Sequence, residues 1–202
     1  MKTKIALAVV ALLVIQADAQ TYFEPMGRDR IDLPTLSNGV RTIAWGDYDN
    51  DGWPDILYGA GFSSELALLH NEGGTGFSDR TFTLKAQFGR QPAGGGVSFA
   101  DIDNDGDLDA LVPKGMFFTM MASRNVLLRN DAGVFSDGGV EAGLTDSLPT
   151  DNAIWLDYDR DGLIDLYSGN LATALPPVPT ILNQLYRNLG NGRFTGAAAA
   201  AG

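Results

Sequence analysis

Apolar residues in this chain come in short runs that bracket polar stretches. Ile43-Ala44-Trp45 and Ile56-Leu57-Tyr58 flank the first stretch. Val97-Ser98-Phe99 and Ala110-Leu111-Val112 flank the second, and Ala153-Ile154-Trp155 and Leu166-Tyr167-Ser168 the third. Runs this short, rich in β-branched and aromatic residues and stopped by Gly or Pro, predict strands of a buried sheet. The polar stretches then become β-hairpin connections.

Those connections are acidic and repeat a pattern. Asp47-Tyr48-Asp49-Asn50-Asp51-Gly52-Trp53-Pro54-Asp55, Asp101 to Asp109 and Asp157 to Asp165 all read D-x-D-x-D-G-x-x-D. Side chains at positions 1, 3 and 5 of such a curled loop converge on one point, and Gly at position 6 permits the turn. The predicted ligands are Asp47, Asp49, Asp51 and Asp55; Asp101, Asp103, Asp105 and Asp109; Asp157, Asp159, Asp161 and Asp165. The position-7 carbonyls of Trp53, Asp107 and Leu163 can complete an all-oxygen shell. Carboxylates this close raise one another's pKa unless a cation joins them. Oxygen donors on a flexible loop favour Ca²⁺ over the stricter Mg²⁺, about three ions in all. One copy would serve equally well as a solvated acidic turn; three copies with the same glycine argue for a cation. Position 12 is Tyr58, Val112 or Ser168, so an EF-hand with its Glu is excluded.

A second signature follows each loop: Leu69-His70-Asn71 to Phe77, Leu128-Arg129-Asn130 to Phe135, and Tyr186-Arg187-Asn188 to Phe194. Each reads strand, Asn and Gly turn, then Phe, which is hairpin chemistry. The loops start at 47, 101 and 157, spacings of 54 and 56. One unit thus holds four short strands, and a four-stranded antiparallel unit repeated at fixed period predicts a propeller blade. The fold class is all-β, three blades forming an open arc of a larger propeller. Trp45, Phe99 and Trp155 share one place, two residues before the loop, and are expected to pack blade against blade. With no successor, the third unit is expected to leave the face carrying Trp155 uncovered.

The loop and the L-x-R-N-x-x-G-x-F signature together resemble the FG-GAP/VCBS repeat family, over roughly residues 20–197. The resemblance implies integrin-type β-propeller blades whose loop aspartates bind Ca²⁺. Arg160 departs from the pattern by adding a cation beside the third site. The units span about 38–84, 93–140 and 150–197, with 20–26 an outer strand of another blade and 198–202 an Ala-rich tail.

The start changes the picture of where the chain works. Met1-Lys2-Thr3-Lys4, the apolar run Ile5 to Ile15 and Ala17-Asp18-Ala19 read as a secretory leader over 1–19. Eleven apolar residues are too few for a span of about twenty, so no membrane span is expected after its removal. Export to the periplasm, the cell surface or the medium follows. With no cysteine, metal takes the place of disulfides. The formal charge is −11, and 13 of the 25 acids lie in the three loops, which disfavours nucleic acid as a partner.

Three functions stand open. One is a non-enzymatic scaffold or adhesion module binding a protein or glycan on the face opposite the loops, with self-association through open blade edges. Segments Gly115 to Met121 and Leu175 to Thr180 are expected on that face, as a contact patch or as residues that extend the strands or pack between blades. The second is part of a secreted enzyme acting on polysaccharide. The third is a structural fragment without a ligand of its own. His70, the one histidine, has Arg129 and Arg187 at equivalent positions, which reads as an exposed strand position and not as a catalytic base.

Overall fold

The computed structural model describes residues 40–60, 66–81, 96–113, 124–148, 150–170 and 183–197. The expected leader at 1–19, the expected outer strand at 20–26, the segments 115–121 and 175–180, and the residues 198–202 lie outside the described residues. The described chain forms three four-stranded antiparallel sheets, each a plain meander. The first holds β1 (Val40–Gly46), β2 (Asp55–Ala60), β3 (Leu66–Asn71) and β4 (Phe77–Asp79). The second holds β5 (Ser98–Ala100), β6 (Asp109–Val112), β7 (Val126–Asp131) and β8 (Val134–Asp137). The third holds β9 (Thr150–Leu156), β10 (Asp165–Asn170), β11 (Gln184–Asn188) and β12 (Phe194–Gly196). Each acidic loop spans the hairpin between the first two strands of its sheet.

Registers repeat from sheet to sheet. Gly46 pairs Asp55, Ala100 pairs Asp109 and Leu156 pairs Asp165, so position 9 of every loop is the first residue of the next strand. Asn71 pairs Phe77, Asn130 pairs Phe135 and Asn188 pairs Phe194. Between sheets, β5 neighbours β1 on one side and β9 on the other, the arrangement of propeller blades around an axis. The described strands close no barrel. Among the described residues no helix is long and apolar enough to cross a membrane.

The sheets bury apolar surface against one another. Leu57, Leu66 and Leu68 of the first sheet meet Val97, Ala110, Val112, Val126, Leu128 and Phe135 of the second, with Ala44 and Phe99 at the margin. Ile102, Leu111 and Leu127 of the second unit meet Ala153, Leu166, Tyr186 and Phe194 of the third, with Trp155 packed on them. The linker supplies Ala142 and Leu144 to the same cluster. Each fully buried Leu is worth about 1.5–3 kcal/mol of transfer free energy. Strand β6 is buried at all four positions because its sheet is covered on both faces, whereas Ala153 and Ile154 on β9 differ sharply in exposure.

This packing corrects the expectation for Trp155. In the second and third sheets the aromatic residue before the loop turns back onto the preceding sheet. Trp155 lies 6.0 Å from Phe194, centroid to centroid, inside the cluster between sheets two and three. The outward face of sheet three carries Ile154 and Tyr167 instead, 53% and 37% exposed. Trp45, in the first sheet, has no such sheet behind it among the described residues; it is 60% exposed and meets Phe77 edge-on at 6.1 Å. Sequence alternation separates two faces of a strand without saying which one looks backward.

Candidate metal centre

Each loop is held from inside by its own carboxylates. Asp47 accepts the N–H groups of Asp51 and Gly52 at 3.0 and 2.8 Å. Asp101 accepts those of Asp105 and Gly106, both at 3.1 Å, and Asp157 those of Asp161 and Gly162, both at 3.1 Å. Position 5 then accepts the N–H of position 7: Trp53 to Asp51 at 2.8 Å, Asp107 to Asp105 and Leu163 to Asp161 at 2.9 Å. The curl puts the glycines at φ of 91°, 95° and 86°. A Cβ there would meet nothing within 4 Å, so torsion and not space demands glycine. Position 4 is left-handed too, at Asn50, Asn104 and Arg160. Asn suits that region and Arg does not.

Position 9 anchors the loop to the sheet. Asp55, Asp109 and Asp165 are fully or almost fully buried. One oxygen of each accepts the N–H of Asn71, Asn130 or Asn188 at 2.8 Å. The other accepts from Tyr48 at 3.1 Å, Ile102 at 3.3 Å or Tyr158 at 3.1 Å. Burial pushes the carboxyls of Asp55 and Asp109 up to about 6, although those N–H bonds oppose it. Burial raises Asp103 as well, against the pull of Arg129.

Oxygens of Asp47, Asp49 and Asp51 lie within 4.8 Å of one another, as do those of Asp101, Asp103 and Asp105. In the third loop the set is Asp157, Asp159 and Asp165, while Asp161 is turned to Arg187. The side chain of Asp107 joins neither set: it accepts from Asn50 of the first loop at 2.6 Å and from the N–H of Ala132 at 2.8 Å. Trp53 lays its indole over the turn at Gly73-Gly74, where a Cβ on Gly74 would come within 2.9 Å of the ring.

The residue before the signature Asn, expected as an exposed strand position, is turned to the loop carboxylates. His70 Nδ1 stands 3.2 Å from Asp49 and 3.3 Å from Asp55. Arg129 is paired with Asp103 and lies 3.7 Å from Asp109. Arg187 reaches Asp159 at 2.7 Å and Asp161 at 2.8 Å. A guanidinium thus sits over the carboxylates of the second and third loops, offsetting like-charge repulsion, and the imidazole of His70 holds the equivalent place in the first. The readable signal was its constant place beside Asn.

The Asn side chains do more than cap turns. Asn71, Asn130 and Asn188 donate within their own sheets to the carbonyls of Pro54, Leu108 and Ile164 at 2.9, 3.1 and 2.9 Å. Asn130 also donates to the carbonyl of Tyr48, and Asn188 to that of Ile102, each at position 2 of the preceding loop. Tyr48 in turn stacks on Phe135 at 5.7 Å, so it braces one sheet against the next and not the loop alone. Burial, with Asp49 and Asp55 nearby, pushes its phenol up to about 12.

The donor set suits a hard cation. Asp49 Oδ1 and Asp103 Oδ1, both at position 3, are buried oxygens without a hydrogen-bond partner. An unmet carboxylate oxygen beside two further carboxylates is acceptor capacity that a metal ion satisfies. A polar cleft of about 700 Å³ opens beside the second loop, lined among others by Asp105, Arg129, Asp137, Glu141, Asn191 and Arg193.

Residues 47–112 match the family model described as an FG-GAP-like repeat. The match is a likeness of this stretch to that repeat. The matched FG-GAP-like unit begins at the first Asp of the first loop and ends on β6, so it is cut from loop to loop and not from sheet to sheet. The third loop lies outside the match, yet its Asp157 and Asp165 accept the N–H groups of Gly162 and Asn188 as Asp47 and Asp55 accept those of Gly52 and Asn71 within it. No curated protein matches the chain.

Proposed function

We propose that this chain is an exported, calcium-stabilised β-propeller module acting as a non-enzymatic scaffold that binds a protein or glycan. The orphaned oxygens of Asp49 and Asp103 carry the metal part of this reading. In each loop the carboxylates at positions 1, 3, 5 and 9 would hold the ion, with the carbonyls of Trp53, Asp107 and Leu163. The bound ion supplies a fixed positive charge that the carboxylates share. Arg129 and Arg187 stand in the same electrostatic role beside the second and third loops, and would yield part of it to a bound ion.

Export rests on the leader at 1–19 and accords with the occurrence of FG-GAP repeats in extracellular and surface proteins. A non-enzymatic role is supported by His70, which is held between Asp49 and Asp55 as part of the loop. The cleft beside the second loop offers alternating acidic and basic groups, chemistry that suits hydroxyl-rich or charged ligands. Calorimetric titration of chelated protein should show about three Ca²⁺ sites, the third weakest because of Arg160. A glycan array probed with the calcium-loaded protein should then give calcium-dependent binding. Absence of any Ca²⁺ uptake overturns the metal part; turnover of a polysaccharide overturns the non-enzymatic part.

A further inference from the structure

Three loops carry the same carboxylates, but the basic residue beside them differs in kind. Arg129 and Arg187 bring guanidinium groups, which stay protonated and have no lone pair to give a metal. They close on the acids as ion pairs, Arg129 with Asp103 and Arg187 with Asp159 at 2.7 Å. His70, the one histidine of the chain, brings an imidazole whose neutral ring keeps a lone pair. Of the three loops, the first therefore has a nitrogen donor at this place and the others do not.

The ring is set into the loop. His70 Nδ1 lies 3.2 Å from Asp49 Oδ2 and 3.3 Å from Asp55 Oδ1, with Nε2 3.8 Å from Asp51 Oδ2. Nδ1 is a buried atom, and despite both carboxylates it has no hydrogen-bond partner among the described residues. Asp49 Oδ1 is buried and unpartnered too, and Asp55 is wholly buried. Tyr48 meets the imidazole edge-on at 6.2 Å, and the His70 side chain is 13% exposed, so the ring has little room to swing out. Two donors about 2.0–2.1 Å from a tetrahedral ion stand roughly 3.3 Å apart. Nδ1 keeps that spacing to each oxygen without the alignment that a hydrogen bond requires.

We propose that the first loop is a mixed nitrogen–oxygen site for a divalent transition-metal ion of the Zn²⁺ or Co²⁺ kind, held by His70, Asp49 and Asp55. This rests on the reading of the loops as metal sites and gives the first a different preference from the other two. Imidazole beside carboxylate suits a borderline ion, whereas Ca²⁺ takes oxygen donors. Asp49 belongs to two donor sets, one with Asp47 and Asp51 and one with Asp55 and His70. The transition-metal ion and Ca²⁺ therefore compete for the first loop. The second and third loops, met by guanidinium groups, offer oxygen alone and keep to Ca²⁺.

Untagged full chain with ¹⁵N-labelled histidine, stripped by chelator and titrated with Zn²⁺, tests this, because its single imidazole gives one pair of ring nitrogens to follow by NMR. One equivalent of Zn²⁺ should move the Nδ1 resonance, and calorimetry should find one Ca²⁺ site fewer once Zn²⁺ is bound. His70→Arg, which copies the residue beside the other two loops, should weaken Zn²⁺ binding by more than about tenfold, the least that even an outer partner of a ligand is worth. The variant should keep its circular dichroism, and the NMR result on the wild type stands whether or not the variant folds. Equal Zn²⁺ binding by both proteins, or an imidazole that Zn²⁺ leaves unmoved, overturns the proposal; His70 is then an ion-pair partner of Asp49 and Asp55 and nothing more. If Ca²⁺ is still taken up in that case, the calcium reading survives; uptake of neither ion overturns both.

Discussion

Asn130 donates its side-chain amide to the carbonyl of Tyr48, 82 residues earlier, at 2.6 Å. That bond ties the turn of the second sheet to the acidic loop of the first. The same side chain donates to Leu108 O at 3.1 Å and accepts from the N–H of Gly133 at 2.9 Å. Asn130→Ala leaves these buried backbone groups without partners, at about 1–3 kcal/mol for each one unsatisfied. The expected loss is about 2–4 kcal/mol in urea unfolding. Asn71→Ala, with no cross-sheet bond among the described residues, should cost less in the monomer; equal losses would show that the cross-sheet bond carries nothing.

Calcium removal should destabilise the fold. At about 1 mM free Ca²⁺ and a Kd of about 10⁻⁴ M, each loop gains roughly 1.4 kcal/mol by mass action. Differential scanning calorimetry with and without chelator reads the sum. Asp103→Ala should remove about one loop's share of the difference. Arg129→Met should destabilise the chelated protein more than the loaded one, because Arg129 is the resident positive charge over Asp103 and Asp109. An identical melting curve in chelator would reduce the loops to acidic turns.

The pH dependence follows from Asp55 and Asp109, whose folded carboxyls titrate at about 6 against roughly 4 in the unfolded chain. Between those values the folded state holds protons that the unfolded state has released. Stability of the metal-free protein therefore falls as pH rises from about 4 to about 6, and the loss is complete above that. Asp161, held low by the N–H of Leu163 and by Arg187, acts the other way and only at lower pH. Calcium needs the ionised carboxylates, so its affinity climbs over the same window. Melting temperatures in chelator should be higher at pH 4.5 than at pH 7, and the gain from calcium should be larger at pH 7.

Arg160 occupies a left-handed position, φ 63°, where the first two loops place Asn. Arg160→Asn should stabilise the protein by roughly 0.5–1 kcal/mol, since Asn adopts that conformation more readily. It also removes a cation beside the third loop and should tighten its Ca²⁺ binding. A lower melting temperature for the variant in both chelator and calcium would show that Arg160 makes a compensating contact.

Sequence alone determined whatever lies within reach of a single hairpin. The spacing D-x-D-x-D-G-x-x-D dictates a curled acidic loop because its bonds, such as Gly52 N–H to Asp47, close over four or five residues. The flanking apolar runs dictate the strands, and the recurrence of Asn and Phe dictates four strands per sheet. Only the tertiary structure decided what crosses from one hairpin to another. It set His70, Arg129 and Arg187 over the carboxylates, because that depends on how the third strand of each sheet pairs with the second. It turned Asp107 toward Asn50 and sent Asn188 back to Ile102, 86 residues away. It also chose the direction of stacking. Alternation along β9 makes Trp155 and Ile154 opposite in facing, but which of them looks back is fixed only when the twisted sheets pack on one another.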